Sequence, residues 1–215
     1  MADVLRRLGD IPPGRVRSDP PPGTATFADL IEVNERGPGP TCEWVDGTLV
    51  EKPAGLYESW PAHIISYMLD RHVEPNDLGM ITVEQGVYRI LPDIGRAPDV
   101  AFVAWTSLPG ERPPPRADKV AAIVPDLAVE VLSASNTKAE MARKRDEYFR
   151  AGVKLVWEID PTTRSAIAYT AADRATPVPA DGTLDGGAVL PGFVLSLTAV
   201  FDRAERMTGG PAGEP

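Results

Sequence analysis

The chain has 215 residues, 43% of them hydrophobic and 25% charged, with a formal net charge of −9. That length supports one domain with a sizeable core, and the composition favours neither a disordered nor a fibrous class. The acidity argues against broad nonspecific nucleic-acid affinity, which comes mainly from Lys and Arg neutralising phosphates.

Residues 2–9 form an expected short helix with Val4, Leu5 and Leu8 on one face. Pro12-Pro13 and Pro20-Pro21-Pro22 then break the chain, so 1–23 is read as a Pro-rich extension. The folded domain is placed at 24–203. Thr26 caps a helix running through Val33, with Asp29 three residues on. CEWVDGTLVEK is a hairpin, because Asp46-Gly47 supplies the positive φ of a tight turn. The lone cysteine, Cys42, excludes an internal disulfide; with only His63 and His72 beside it, zinc is poorly supplied and oxygen-ligand metals stay open.

From Glu58 to Val73, Ile64, Ile65, Met68 and Leu69 recur at helical spacing. Three strand-like runs follow, at 80–90, 99–105 and 127–133, the last two apolar enough to be central. TKAEMARKRDEYFRAG is a helix with a capping box, Thr137 to Glu140, and a terminal Gly152. KLVWEID (154–160) is another strand, and RSAIAYT (164–170) pairs back on it. Residues 181–187 are read as a loop and LPGFVLSLTAVF as a last strand. Residues 204–215 are read as a flexible tail. No apolar run approaches the ~20 residues that cross a bilayer, and the N-terminus lacks the apolar stretch of a secretory signal, so a cytoplasmic location is expected.

Asp99 opens an apolar strand and Glu130 lies inside another, between Val129 and Val131. Ionised carboxylates in such places cost several kcal/mol unless paired or bound to a cation. Two of them invite a hard cation. The competing structural reading has Asp99 bonding nearby amides and Glu130 paired with a basic residue across the sheet. Lys144, on the helix after the Glu130 strand, shares a face with Glu140 and Tyr148, so its ammonium either reaches the sheet's end or points at the carboxylates. Trp44, Trp60, Trp105 and Trp157 are expected core aromatics. The loop ERPPPRADK offers Arg112, Arg116 and Lys119 for phosphate contact or for solvent.

GRAPDVAFVAW, PDLAVEVLSASNT, EMARKRDEYFRAGVKLVWEIDP and LPGF, in that order, resemble the Uma-two family of candidate restriction endonucleases within the PD-(D/E)XK nuclease superfamily. The resemblance runs from about Thr26 to Phe201. It implies a restriction-endonuclease-like α/β fold: a mixed central sheet flanked by helices, with an N-terminal hairpin and a C-terminal β extension. It also implies Mg2+, or Mn2+, held by Asp99 and Glu130, and hydrolysis of DNA phosphodiester bonds; cutting both strands would call for a homodimer, whose two-fold symmetry matches the duplex. The superfamily lysine usually stands two residues after the second acid, where this chain has Leu132; Lys144 matches the form in which it has moved to the next helix. Glu58 matches a position that gives some members an extra metal ligand, its other reading being a solvated charge at a helix start. Glu43 belongs to the family motif but reads as structural, and His63 reads as an amphipathic residue between apolar neighbours. The alternative function is a nuclease-fold protein without cleavage activity, acting as a binding or regulatory module.

Overall fold

The computed structural model describes residues 1–36, 39–53, 55–113 and 123–207. The chain opens with α1 (Ala2–Arg7) and α2 (Phe27–Glu35), the latter held by a reciprocal capping box between Thr26 and Asp29. β1 (Cys42–Val45) and β2 (Thr48–Glu51) form the expected hairpin, turning on Asp46 and Gly47 at φ 47° and 72°. α3 (Leu56–Val73), β3 (Gly79–Val83), β4 (Tyr88–Leu91), β5 (Ile94–Arg96), β6 (Val100–Ala104) and β7 (Leu127–Val131) follow. α4 (Lys138–Ala151) has the anticipated capping box and a left-handed Gly152 at its end. β8 (Leu155–Asp160), β9 (Ser165–Ala171), β10 (Arg174–Val178), β11 (Thr183–Asp185), β12 (Val194–Ser196) and α5 (Leu197–Met207) complete the order.

The central sheet is mixed, in the order β10-β9-β8-β7-β6-β3, with β7 and β8 parallel and the other neighbours antiparallel. A second sheet has the order β2-β1-β5-β4. Side chains alternate along β7: Leu127, Val129 and Val131 join a core with Ile64, Ile65, Leu69, Val200 and Phe201 of α3 and α5. Ala128 faces the other way, into a core with Val45, Ile94 and Tyr148 from the second sheet and α4. α2 closes the far side of the second sheet through Phe27, Leu30 and Trp44. Among the described residues, no helix is long and apolar enough to cross a membrane.

Three expectations are corrected. Residues 80–90 are not one strand: the chain turns after Val83, where Gly86 N–H donates to the Val83 carbonyl at 2.6 Å, so β3 and β4 serve different sheets. Residues 181–187 are not all loop, since β11 pairs with β12. The last apolar run is strand only through Ser196. Leu197, Val200, Phe201 and Ala204 then follow helical spacing, and the Ser196 hydroxyl accepts from Ala199 N–H at 3.3 Å as an N-cap.

The Pro-rich N-terminal segment packs against the rest. Leu8 and Ile11 are buried in the core beneath α4, the Arg17 amide donates to Leu49 O at 3.0 Å, and Arg15 grips Glu140 through two bonds of 2.7 and 3.0 Å. Gly9 is required here: at φ 87°, a side-chain carbon would meet the Glu140 amide nitrogen at 2.4 Å. Of the tail read at 204–215, α5 takes residues through Met207, and 208–215 lie outside the described residues.

Candidate active site

Strand register explains how Asp99 and Glu130 meet. β6 and β7 pair as far as Val100 with Val129. Asp99 and Glu130 stand one residue beyond that pair on their own strands, both on the face toward α4. The ladder stops because Asp99 takes its next bond: Val131 N–H donates to Asp99 Oδ2 at 2.7 Å. This is the amide bond of the structural reading, made at the point where the strands part.

α4 lays Glu140, Lys144, Glu147 and Tyr148 over this row at helical spacing, all buried. Lys144 Nζ is 3.1 Å from Glu130 Oε2 and 3.1 Å from Glu43 Oε1, and Tyr148 donates to Glu130 Oε1 at 2.6 Å. Glu43, fully buried on β1, also accepts from Arg96 at 2.7 Å; Arg96 in turn holds Glu147 at 2.5 Å. Lys52, just past β2, donates to Asp99 Oδ1 at 2.7 Å and to the Ala97 carbonyl at 2.5 Å. Every oxygen of Asp99 and Glu130 therefore accepts a bond from the protein.

Burial opposes charge on all these groups, and the outcome depends on how many opposite charges each one faces. For Glu43, Lys144, Arg96 and Lys52 outweigh burial and hold its carboxyl well below the usual range. For Glu130, burial prevails, aided by Asp99 and Glu43, and pushes the carboxyl up in spite of Lys144 and Lys52. Burial would lower both lysines, but Glu130 and Glu43 around Lys144, and Asp99, Glu130 and Glu43 around Lys52, raise them. Both ammoniums are firmly protonated. Tyr148 is raised by burial and by Glu130, so it stays a donor.

The cluster lines a cavity of about 810 Å³, walled by Lys52, Asp99, Glu130 and Lys144, and by Glu58 and His63 of α3. His63 is exposed on that wall, with its ring edge-on to Trp60 at 5.7 Å between centroids. Two carboxylates from adjacent strands suit Mg2+ or Mn2+, which take one or two such ligands and keep several waters. Each oxygen keeps a lone pair beyond the one bonded, and Asp99, at 18% side-chain exposure, has room for a second partner. Among the described residues, no three of His, Cys, Asp or Glu are grouped so as to hold one ion, so the donor set fits a hydrated ion and not an all-protein cage.

A family model, Uma2, described as "Putative restriction endonuclease", matches residues 25–198. The chain belongs to the Uma2 family. A crystal structure from Anabaena variabilis ATCC 29413, described as "a putative nuclease belonging to DUF820", is similar to this Uma2 chain with a TM-score of 0.68 and 18% identity. The match covers 82% of this chain and 98% of that one, and at such identity it establishes the fold. No curated protein matches the chain.

The structure thus brings Asp99, Glu130 and Lys144 of this Uma2 chain together, with Glu58 on the same cavity wall. Glu43, read as structural, shares Lys144 with Glu130. Sequence reasoning passed over Lys52, Arg96 and the hydroxyl of Tyr148. Tyr148 had a signal, four residues after Lys144 on the same helical face. Of the basic residues offered for phosphate contact, Arg112 lies past the end of β6 opposite Asp99 and does not line the cavity, while Arg116 and Lys119 lie outside the described residues. Trp44 and Trp157 are core aromatics; Trp60 and Trp105 are only half-buried.

Proposed function

We propose that this Uma2 chain is a Mg2+-dependent endonuclease that hydrolyses DNA phosphodiester bonds, with Mn2+ as a substitute, and that Asp99, Glu130 and Lys144 form its centre. The observation that carries this reading is the placement of two carboxylates at the parted end of adjacent strands, open to one cavity and flanked by protonated lysines. A divalent ion held there would supply Lewis-acid activation of water and relief of charge growing on the phosphate oxygens. Asp99 and Glu130 hold the ion. Tyr148 and Lys144 fix the Glu130 carboxylate on both oxygens, so it presents one orientation. Lys144, a compact cation at the cavity wall, orients the water and stabilises the charge of the transition state. Glu58 faces the same cavity and would contribute through ordered water. Cleavage of both strands by one centre per chain calls for a homodimer, whose symmetry matches the duplex.

A silent nuclease-fold module is the second reading. It is favoured by the net charge of −9 and by the protein bonds already made to every oxygen of Asp99 and Glu130. Incubation of supercoiled, linear and branched DNA with the protein in Mg2+ or Mn2+, beside Asp99→Ala, decides between them. Metal-dependent nicking that vanishes in Asp99→Ala supports the endonuclease. Metal binding without any cleavage supports the module.

A further inference from the structure

Among the described residues lining the cavity, the only Lys or Arg side chains are Lys52 and Lys144. They are not equally free to act. Lys144, whose side chain is 2% exposed, is the shared counter-ion of Glu43 and Glu130, and moving it would leave buried Glu130 without its paired cation and Glu43 with Arg96 alone. Lys52 has one carboxylate partner, Asp99, which is the more exposed of the two candidate metal ligands and keeps its Val131 amide bond if the lysine leaves. A four-carbon stem gives an ammonium reach without backbone movement.

The local charge says when Lys52 would leave. Lys52, Lys144, Arg96 and Arg143 face the five carboxylates of Glu43, Asp99, Glu130, Glu147 and Asp46, an excess of one negative charge. A divalent ion added beside Asp99 would turn that into a positive excess, with Lys52 pressed against the ion. Like charges at such range repel strongly in a partly desolvated site. If Lys52 withdraws from Asp99, the repulsion falls, and the ammonium enters a cavity that no arginine lines among the described residues. The anion that would fill that cavity is the phosphodiester.

Resting on the metal-centre reading above, we propose that Lys52 is a partner-exchanging cation: it neutralises Asp99 in the metal-free protein and passes to a non-bridging phosphate oxygen of the substrate once Asp99 ligates a divalent ion. It binds and positions substrate, whereas Lys144 stays fixed between its carboxylates. The two roles of Lys52 predict opposite effects from one substitution. Removing its charge relieves competition for Asp99, so metal affinity rises; it also deletes a phosphate contact, so DNA affinity falls.

The test uses the full chain and Lys52→Met, with Lys52→Gln as a second variant that keeps a donor toward Asp99 without the charge. Calorimetric titration with Mn2+ reads the first effect. Binding of a fluorescein-labelled DNA duplex in Ca2+ reads the second. The expected result is Mn2+ binding tighter by about tenfold and DNA binding weaker by about tenfold, each the scale of one charge contact. Native protein gives an independent readout: amine labelling with mass spectrometry should show Lys52 becoming more reactive when Mn2+ is added, with Lys144 unchanged. Equal or weaker Mn2+ affinity in both variants, or Lys52 labelling indifferent to Mn2+, overturns the proposal while leaving the metal centre in place. Failure of wild type and both variants to bind Mn2+ overturns the metal centre itself, and the proposal with it.

Discussion

β7 ends in a carboxylate-and-lysine arrangement at both extremities, and the two ends are built differently. Before its first residue, Asp126 is buried yet fully served: it accepts from Ala104 N–H at 2.8 Å, Ser107 Oγ at 2.8 Å and Lys154 Nζ at 2.6 Å. Lys154 is 60% exposed, so that counter-ion stands in water and little is lost if it moves. At the other end, Asp99 and Glu130 draw their cations from lysine side chains only 3% and 2% exposed. The first arrangement closes a strand. The second stores opposed charges inside the protein beside an open cavity, an expensive arrangement that a fold needing only strand closure would not require.

The largest expected contrast is in chemistry. Asp99→Ala and Glu130→Gln should each lower DNA cleavage by on the order of a thousandfold or more, the scale of losing groups that organise transition-state charge. Asp126→Asn should leave it unchanged, measured as initial nicking rate on supercoiled DNA. Equal losses at both ends would mean that the carboxylates matter only for the fold.

Next is stability. Lys144→Met leaves Glu43 and Glu130 without their shared cation and should cost ~3–5 kcal/mol in urea unfolding. Lys144→Ala would confuse this loss with any catalytic one, so cleavage by Lys144 variants is to be compared only under conditions where each is folded.

The pH dependence of stability sharpens the same contrast. Glu43 has a folded-state value below its unfolded one, so the stability it contributes is present above the ordinary 4.5 and is lost as pH falls through the lowered value. Glu130 is raised and has the opposite sign: it favours the folded state while protonated and loses that contribution as pH rises through the raised value. The urea midpoint should therefore drop on acidification below 4.5, and Glu43→Gln should flatten the drop while lowering stability at neutral pH.

The smallest effects belong to the far end. Asp126→Asn should cost ~1–3 kcal/mol, the range for impairing buried hydrogen bonds. Lys154→Ala should cost no more than ~1 kcal/mol, with salt reducing it further.

Residues that violated their surroundings were legible in the sequence. Asp99 and Glu130 stand out because a carboxylate in an apolar strand demands a partner, and Lys144 because helical spacing and the capping box at Thr137 fix which face of α4 it occupies. The sheet's central strands were legible for the same reason of pattern. Lys52 was not, because a lysine before Pro53 looks like any strand end, and its partner Asp99 lies 47 positions away across two sheets. Arg96 was hidden in a three-residue strand too short to show alternation. The final helix was missed because VLSLTAVF fits a period of two nearly as well as 3.6, although DRAERM beyond it fits only the helix.

The docked N-terminal segment has a practical consequence for anyone trimming or tagging this protein. The family match begins at residue 25, which invites a shortened version starting there. Such a version would lose Arg15 from Glu140, the Gly9 carbonyl that accepts from the Thr137 hydroxyl, and the Arg7 carbonyl that accepts from Arg143. All three attach to α4, the helix bearing Lys144. A truncated chain that failed to cut DNA would then report a loosened lysine, not an inactive family member, and a bulky fusion at Met1 carries the same risk.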